Sequence, residues 1–480
     1  MRTPSFSARL LRQENGDLSE KPINAFTEGP LGPIYARTAL PIIFVMGMNG
    51  LLAVCDALFL GHFVGPDALA AVTLMFPLYM LVVALATLVS SGMSSLLARR
   101  LGAAETQAAG RVFAGAHGLA LLVSLLLMLL FLPFGPAISL LVAGGSQELA
   151  EMGLVYLRIT VFFSPLLFLL SVNSDALRNE GRVNLMAAMS LLVSIANIGF
   201  NYMLIAGLGM GVAGSAYGTA LAQALAFAGI LAFRLRGRTQ LPLSVLVRHG
   251  LHGGWASILA LGAPQSLNFI GLALGSATIL TALQWVGAPG YGTTVSAYGI
   301  ITRVMTFAFL PLLGLSHAMQ TITGNNFGAD RLLRVNRSLQ FAVVAAFVYC
   351  LALQVLMACF ASAIGQAFVG DRAVVAEVAR ILPVMTGLFF ATGPLMMIAM
   401  HFQAIGDAGR AAVLGLSKPY LFAIPLTFAL AAIFGEAGIW VAGPSAEAML
   451  FVLTVIVLYR TARGNRLGWG LFLAVRGERA

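Results

Sequence analysis

The chain is a series of long apolar runs separated by short polar connections, and this pattern limits its fold more than any other feature. Each run is long enough for an α-helix to cross the hydrocarbon core of a bilayer, which takes about 20 residues. Charged residues make up only 10 % of the chain and the mean hydropathy is +0.91, which argues against both a water-soluble enzyme and a disordered chain. The sequence therefore predicts an all-α membrane protein.

The apolar runs predict twelve transmembrane helices within the 480 residues. Their approximate bounds are 38–62, 69–96, 111–133, 154–175, 184–207, 212–233, 256–285, 293–316, 338–361, 381–405, 411–433 and 438–459. A shorter apolar piece at 137–143 predicts a turn at the outer membrane interface.

Basic residues fall in alternate connections between these spans. Twelve spans place 24 of the 28 Lys and Arg residues in the two terminal segments and the even-numbered connections, with Lys418 counted in the tenth connection. Because cytoplasmic loops carry the excess of Lys and Arg, both termini are expected in the cytoplasm and the protein in the inner (plasma) membrane. The same distribution explains the net charge of +10 without a nucleic-acid partner.

Landmark residues recur at a nearly constant offset of 223 to 226 positions. The pairs are Pro41 and Pro264, Gly102 and Gly328, Gly181 and Gly406, and Gly214 and Gly438. The offset equals six spans, so the two halves share one orientation, as in transporters built from parallel repeats. This predicts two six-helix lobes, related by a pseudo-two-fold axis, that enclose a central cavity and rock to give alternating access. The predicted domains are an N-terminal tail 1–35, an N-lobe 36–235, a linker 236–253, a C-lobe 254–460 and a C-terminal tail 461–480.

Asp56 is the most informative ionisable residue within a span, because charged side chains are rare and usually functional inside a bilayer. It lies six residues from the outer end of the first span, and Asn197, Asn201 and Thr219 reach a similar depth in the fifth and sixth spans. One carboxylate and three neutral oxygen donors suit a proton or a hard cation, and desolvation favours the protonated carboxyl. The alternative is a structural hydrogen bond between helices.

Other polar residues within spans predict a substrate cavity or, alternatively, ordinary helix contacts. The candidates are Asn49, Gln265, Asn268, Ser296, Arg303 and Gln403. Arg303 is expected to be buried, which requires a partner: either the C-lobe cavity or helix C-terminal carbonyls. Asp175 and Arg178 predict a pair at a helix end, Glu180 is expected in a solvated loop, and Glu447 has no clear partner.

No catalytic or cofactor constellation is visible, so an enzyme is not expected. There is no glycine-rich phosphate loop with a lysine, which argues against ATP as the energy source. No His or Cys cluster has metal-ligand spacing, and the three cysteines lie in apolar runs as core residues. The expectation is no cofactor and no metal site, apart from H⁺ or Na⁺ as a coupling ion.

Several motifs, taken in order along residues 36 to 460, resemble the multidrug and toxic compound extrusion (MATE) family. They are Pro41, Asp56-Ala-Leu-Phe-Leu-Gly61, Ala68 to Val72, Leu177 to Arg182, Asn197-Ile-Gly-Phe-Asn201, Gly211 to Thr219, Gly324 to Ala329, Gln403 to Gly406, and Gly438 to Trp440 followed by Pro444. The resemblance implies a V-shaped exporter of twelve helices that exchanges amphipathic organic cations for H⁺ or Na⁺.

The resemblance also implies a cation site in the N-lobe formed by Asp56, Asn197, Asn201 and Thr219. The family's site has an Asp where this chain has Asn201, which leaves one carboxylate and favours H⁺ over Na⁺. The C-lobe acidic pair of another branch of the family is missing from the matching stretches 262–272 and 391–406. The first-helix proline falls on Pro41, which predicts a helix hinge that bends when Asp56 is protonated.

The leading hypothesis is therefore a cation-coupled exporter that acts as a monomer in the lipid bilayer, with small organic cations as cargo and Asp56 as the coupling carboxylate. The second hypothesis is a flippase for a lipid-linked oligosaccharide, a function found in a superfamily related to the MATE family. That function requires a cationic cavity for a diphosphate, and Arg303 is the only buried cation the sequence offers for it. A membrane enzyme or a channel is a third reading, but acidic residues and His do not cluster at a membrane face.

Overall fold

The structure is a computed structural model that describes residues 24–237, 239–287, 290–465 and 470–472, without the side chains of residues 51, 53, 54, 464 and 465. Most of the two predicted tails therefore lies outside the described residues. So do eight of the basic residues counted above: Arg2, Arg9, Arg12, Lys21, Arg238, Arg466, Arg476 and Arg479.

The described residues form ten single apolar helices and two bent pairs of helices, or twelve crossings when each pair counts as one. Numbered as spans one to twelve, they are Leu31–Phe63, Pro66–Gly102, Thr106–Val142, Gln147–Phe162 with Ser164–Asn179, Val183–Gly207, Gly211–Leu235, Trp255–Val286, Tyr291–Gly328, Leu332–Cys359, Arg372–Met385 with Phe389–Ile405, Ala408–Phe434 and Glu436–Arg463. Each pair bends by 48°. The prediction of an all-α, multi-pass membrane protein is confirmed.

Two spans contain a π-helical segment, a feature that often marks functional sites. The fifth span ends in one at Tyr202–Gly207, directly after Asn201. The eleventh span is interrupted by another at Ser417–Ala423. Both segments adjoin polar or charged side chains that are described below.

The third span corrects the prediction of an interfacial turn at 137–143. Its helix continues to Val142 with Pro133 and Pro136 inside it. Prolines are tolerated in transmembrane helices because neighbouring groups satisfy the freed backbone carbonyls. The piece is therefore the last part of the third span.

Two charged residues also differ from expectation. Glu180 is buried rather than solvated, because the segment after the sixth span folds back over it; Arg234 pairs with Glu180 at 2.8 Å and donates to the carbonyl of Leu241 at 2.7 Å. Lys418 lies inside the eleventh span rather than in a connection, and pairs there with Glu447. The sequence pattern assigned Lys418 to the tenth connection because this lysine lies only eight residues after Arg410, which belongs to that connection.

The even-numbered connections gather at one end of the bundle, which we call the basic end. A Cβ added at Gly181 would contact Ala25 before the first span, and one at Gly110 would contact His249 before the seventh. One at Gly406 would overlap the guanidinium of Arg99, near the end of the second span. This arrangement brings together the regions in which the sequence concentrates its arginines.

We call spans one to six the first half and spans seven to twelve the second half; they contact each other from the middle of the bundle to the basic end. Gly92 in the second span and Gly262 in the seventh lie where an added Cβ would overlap a backbone carbonyl of the opposite helix. Towards the middle, Gly50 of the first span faces Phe307 and Leu310 of the eighth. Within the described residues, the hydrogen bonds that join the halves all lie between the middle and the basic end.

The landmark pairs share local geometry. The second and eighth spans end at Gly102 and Gly328, and each is followed two residues later by a non-glycine residue with positive φ: Ala104 at 59° and Asp330 at 57°. A residue in this left-handed conformation commonly closes a helix C-terminus. The landmark glycines Gly102 and Gly328 are therefore followed by the same unusual turn.

Candidate functional site

Asp56, Asn197, Asn201 and Thr219 come together in the structure, as their depths in three spans predicted. Asn201 Nδ2 donates to Asp56 Oδ1 at 2.5 Å and to Asn197 Oδ1 at 2.9 Å. Asn197 Nδ2 donates to Thr219 Oγ1 at 2.8 Å. The four side chains form one hydrogen-bonded chain that links the first, fifth and sixth spans.

The amide of Asn197 fits a second orientation that draws it closer to the carboxylate. With its nitrogen towards the first span, Asn197 donates to Asp56 Oδ1 at 2.9 Å and accepts from Thr219 Oγ1 at 2.8 Å. Both asparagines are fully buried, whereas Asp56 is partly accessible. In either orientation, amide groups from the fifth span hold the Asp56 carboxylate.

The backbone around the site brings the fifth and sixth spans close together. An added Cβ at Gly218, the residue before Thr219, would overlap Oδ1 of Asn201. That oxygen is buried and has no hydrogen-bond partner among the described residues. A buried amide oxygen without a partner is unfavourable, so the site has an unused acceptor on the side of Asn201 that faces Gly218.

Two tyrosines that the sequence reasoning missed lie within electrostatic reach of the carboxylate. Tyr79 comes from the second span and interacts with Asp56; Tyr156 of the fourth span interacts with both. Because tyrosines are common in apolar runs, neither stood out in the sequence. Two further spans of the first half therefore bring a tyrosine within electrostatic reach of Asp56.

The chemistry of these groups suits a proton or a monovalent hard cation. Asp56 supplies the single carboxylate, and amide and hydroxyl oxygens supply neutral ligands. Among the described residues, no three or more His, Cys, Asp or Glu side chains form a metal-binding group. One carboxylate with neutral oxygens is instead the kind of donor set that suits a proton or Na⁺.

Gln265 and Gln403, predicted to line a substrate cavity, instead lie in the contact between the halves. Both contact Ser91 of the second span: Ser91 Oγ donates to Gln265 Oε1 at 2.5 Å, and Gln403 Nε2 donates to Ser91 Oγ at 3.1 Å. Both glutamines are buried. In this conformation they face the opposite half, because the glycines of the second and seventh spans bring these helices so close.

Arg303 is exposed, which corrects the expectation of a buried guanidinium. It lies one helical turn before Phe307 and two before Leu310, the residues that face Gly50 of the first span. This places Arg303 on the face of the eighth span that looks towards the first half, beyond their closest approach. Ser296, one heptad earlier, is also exposed and donates to its own helix carbonyl at Gly292 over 2.8 Å.

The remaining predicted residues are placed less distinctively. Asn49 is exposed on the first span and Asn268 is half-buried on the seventh. Pro41 lies inside the helix Leu31–Phe63, where it removes one backbone N–H donor. Pro41 lies 15 residues before Asp56 in the same helix. The predicted hinge is therefore closer to the basic end than Asp56 is.

A buried polar network closes the two halves at the basic end. Arg178 pairs with Asp175 at 2.8 Å, as the sequence predicted, and also crosses between the halves. Its Nε donates to Thr321 Oγ1 of the eighth span at 3.1 Å, and Nη2 donates to Ser94 Oγ at 3.0 Å. We call Ser91, Ser94, Arg178, Gln265, Thr321 and Gln403 the basic-end latch.

Comparisons with known proteins agree with this architecture. The sequence model of the MatE family matches residues 41–203 and again residues 269–429. The multidrug export protein MepA of Staphylococcus aureus is 22% identical, over 92% of this chain and 96% of its own length. An FAD transporter of Shewanella oneidensis is 24% identical, over 86% of this chain and 91% of its own length.

Among solved structures, an outward-facing multidrug resistance MATE family transporter of the MOP superfamily has the same fold. It superposes with a TM-score of 0.79 at 22% identity, covering 90% of this chain and 95% of that one. The family match covers well over half of the sequence and both of its halves. The chain belongs to the MatE family of multidrug and toxic compound extrusion transporters.

Proposed function

We propose that this protein exports amphipathic organic cations across the inner membrane in exchange for H⁺, with Asp56 as the coupling carboxylate. The observation that carries the proposal is the hydrogen-bonded chain from Asp56 through Asn201 and Asn197 to Thr219. The name of the relative MepA, a multidrug export protein, supports the choice of cargo.

The oxygen of Asn201 that has no hydrogen-bond partner supports a site that binds and releases a proton or an ion. In this structure Asn201 already donates to the carboxylate, and its Oδ1 has no partner among the described residues. A proton on Asp56 gives the carboxyl a donor that this oxygen can accept once the amide turns. Na⁺ beside Asp56 would use the same oxygen as a ligand, but a single carboxylate favours the proton.

The repeat and the closed basic end support rocking of two lobes. The same family model matches each half, and the paired turns at Ala104 and Asp330 occupy equivalent positions 226 residues apart. The basic-end latch joins the halves on one side, and no hydrogen bond between described residues joins them beyond the middle of the bundle. We interpret this as an outward-open state, with the basic end and both termini in the cytoplasm.

Exchange then follows from competition for one carboxylate. In the outward-open state Asp56 takes a proton, and the neutral carboxyl no longer attracts a cationic cargo, which leaves to the outside. After the lobes rock, Asp56 releases its proton to the cytoplasm and the carboxylate attracts the next cargo cation. One proton enters for each monovalent cargo cation that leaves, so no net charge crosses the membrane and the pH gradient supplies the driving force, about 1.4 kcal/mol per pH unit.

The deciding experiment is transport of a fluorescent organic cation by purified protein in proteoliposomes, with a pH gradient and a Na⁺ gradient imposed separately. We expect transport with the pH gradient and little with the Na⁺ gradient. Transport with the Na⁺ gradient alone would contradict H⁺ as the coupling ion but would agree with export by cation exchange. No transport with either gradient, in vesicles with correctly folded protein, would contradict cation export.

A second candidate cargo is an anion of the FAD type, which the name of the Shewanella relative suggests. The accessible cation Arg303 on the face of the eighth span favours it. The flippase for a lipid-linked oligosaccharide has weaker support. That function was expected to use a buried cation for the diphosphate, and Arg303 is exposed. Adding FAD and a lipid-linked diphosphate as cargoes in the same vesicles separates these functions.

A further inference from the structure

A charged pair lies inside the second half, far from the Asp56 site. Lys418 belongs to the π-helical segment Ser417–Ala423, ten residues after the eleventh span begins at Ala408. Glu447 lies eleven residues into the twelfth span, which begins at Glu436. The two side chains form an ion pair between these spans. Ionisable residues at such depth are costly and usually have a function.

The two partners differ in accessibility. The side chain of Glu447 is 5% exposed and that of Lys418 is 31% exposed. The second carboxylate oxygen of Glu447, Oε1, is buried without a hydrogen-bond partner among the described residues. An incoming charged group therefore reaches the ammonium of Lys418 before it reaches the carboxylate.

Lys418 lies on the face of the eleventh span that packs inside the second half. Lys418 continues the buried stripe of Leu414 and Phe422 on the eleventh span. Val413 and Leu421, on a different face of the same span, are exposed as expected for lipid contact. The side chain of Lys418 thus leaves the helix on its packed face, beside Glu447 of the twelfth span.

The π-helical segment is fixed against the seventh span. Tyr420 donates its hydroxyl to the carbonyl of Leu267 at 2.7 Å, and Pro419 lies against Gly271. These neighbours are uncharged, and the Cys350 thiol of the ninth span also interacts electrostatically with the pair. Among the described residues, Glu447 is the only anion paired with Lys418.

We propose that Lys418 binds the anionic group, a carboxylate or a phosphate, of transported amphipathic molecules, and that Glu447 is a displaceable counter-ion that holds the ammonium when no cargo is bound. The proposal rests on the proposed transport of small molecules and extends its cargo to zwitterions and anions. When the cargo anion takes the ammonium, a bare carboxylate would remain buried, which is unfavourable. The contacts of the cargo must offset this cost, so only cargo with an anionic group displaces Glu447.

The test compares two dyes that differ in one group: a rhodamine methyl ester, which is a cation, and the same rhodamine with its free carboxylate. Binding to the purified full-length protein in detergent is measured by fluorescence polarisation for wild type, Lys418→Gln, Glu447→Gln and the double variant. We expect Lys418→Gln to weaken binding of the carboxylate dye by about tenfold or more, since a hydrogen bond to a charged group is lost. Glu447→Gln should tighten binding of that dye, because Lys418 is then unpaired, and the double variant should behave like Lys418→Gln.

Other outcomes would overturn the proposal. If both single variants weaken both dyes equally, the pair has only a structural role. If Lys418→Gln instead tightens binding of the ester, a cation competes for Glu447 and the site has the opposite polarity. Arg100→Gln, which opens the exposed pair with Glu105, is the matched control for loss of one positive charge.

Two additions keep the test decisive. If a single variant fails to fold, the reversed pair Lys418→Glu/Glu447→Lys keeps both charges and should bind the carboxylate dye more weakly than wild type; equal binding would contradict the proposal. Transport of the ester by wild type in proteoliposomes tests the proposed export separately. If wild type transports the ester but Lys418→Gln binds the carboxylate dye as tightly as wild type, this inference is overturned and the proposed export is not.

Discussion

Asn201 donates a hydrogen bond of 2.5 Å to Oδ1 of Asp56, so the fifth span directly holds the one carboxylate of the first-half site. Because Asn201 also contacts Asn197, which bonds to Thr219, a change at Asp56 reaches three spans without an intermediate water or ion. The charge state of one side chain can therefore alter the packing of the first span against its neighbours.

Asp56→Asn should abolish transport driven by a pH gradient and leave the fold intact. The amide cannot gain or lose a proton, yet it keeps the size of the carboxyl and can still accept from Asn201. The measurement is cation transport in proteoliposomes, with melting temperature in detergent as the check on folding. Asp56→Glu keeps a titratable group and should retain part of the activity; full transport by Asp56→Asn would remove this residue from the mechanism.

Asn201→Asp should make the site respond to Na⁺. A second carboxylate beside Asp56 would be repelled by the first unless a cation lies between them, and two carboxylates with amide and hydroxyl oxygens suit a hard cation. We expect Na⁺, and not K⁺, to raise the melting temperature of the variant more than that of wild type. Asn268→Asp in the second half is the control, and an equal Na⁺ response from it would mean that any added carboxylate suffices.

Gly218→Ala should impair coupling without a change in any ionisable group. A Cβ at this position overlaps Oδ1 of Asn201, so the asparagine must shift, which disturbs its hydrogen bond to Asp56. Transport should fall well below that of wild type at every pH tested. Gly199→Ala, on the fifth span with no atom within 4 Å of the added Cβ, is the matched control and should transport normally.

Much of the first-half site could be predicted from the sequence because its signals are local and strong. A carboxylate in an apolar run is rare, and the depth of Asp56, Asn197, Asn201 and Thr219 follows from counting residues along three helices. Depth alone places side chains at one level of the bilayer. Counting residues does not indicate whether the side chains face each other. The hydrogen bonds in the structure show that they do.

The second half was harder to predict because rotation about the helix axis decides which residues meet. Gln265 and Gln403 are polar residues in apolar spans, but the pattern does not indicate whether they face a cavity or the other half. The partnership of Lys418 with Glu447 was missed because the lysine follows a basic connection closely in sequence. The twelve-span pattern, in contrast, depends only on hydrophobicity and length.

Glu180→Gln should lower the free energy of unfolding by about 3–5 kcal/mol, because removing one partner of a buried pair leaves the other charge uncompensated. Arg234 and Glu180 are 0% and 1% exposed, and Arg234 also donates to Asn173 at 2.9 Å. Melting temperature in detergent should fall clearly. The double variant Arg234→Met/Glu180→Gln should recover part of the loss; Glu377→Gln, which opens an exposed pair with Arg380, should have little effect.

Gly262→Ala should shift the protein away from the state with a closed basic end. The added Cβ overlaps the carbonyl of Leu88, so the second and seventh spans must separate, and overpacking of this kind costs about 1–3 kcal/mol. Separation also loosens the contacts of Ser91 with Gln265 and Gln403 in the basic-end latch. The expected result is greater access to position 91 from the basic end.

Accessibility can be measured directly with Ser91→Cys in a protein whose three native cysteines are replaced by serine. Ser91 is 1% exposed, so a membrane-impermeant maleimide should label it slowly in the wild-type background and faster with Gly262→Ala. Gly275→Ala, on the same seventh span with open space around the added Cβ, should leave the rate unchanged. Since a closed latch and an open outer side belong to one state in a rocking transporter, faster labelling should coincide with slower labelling at Ser296→Cys. Independent changes at the two positions would contradict rigid rocking of two lobes.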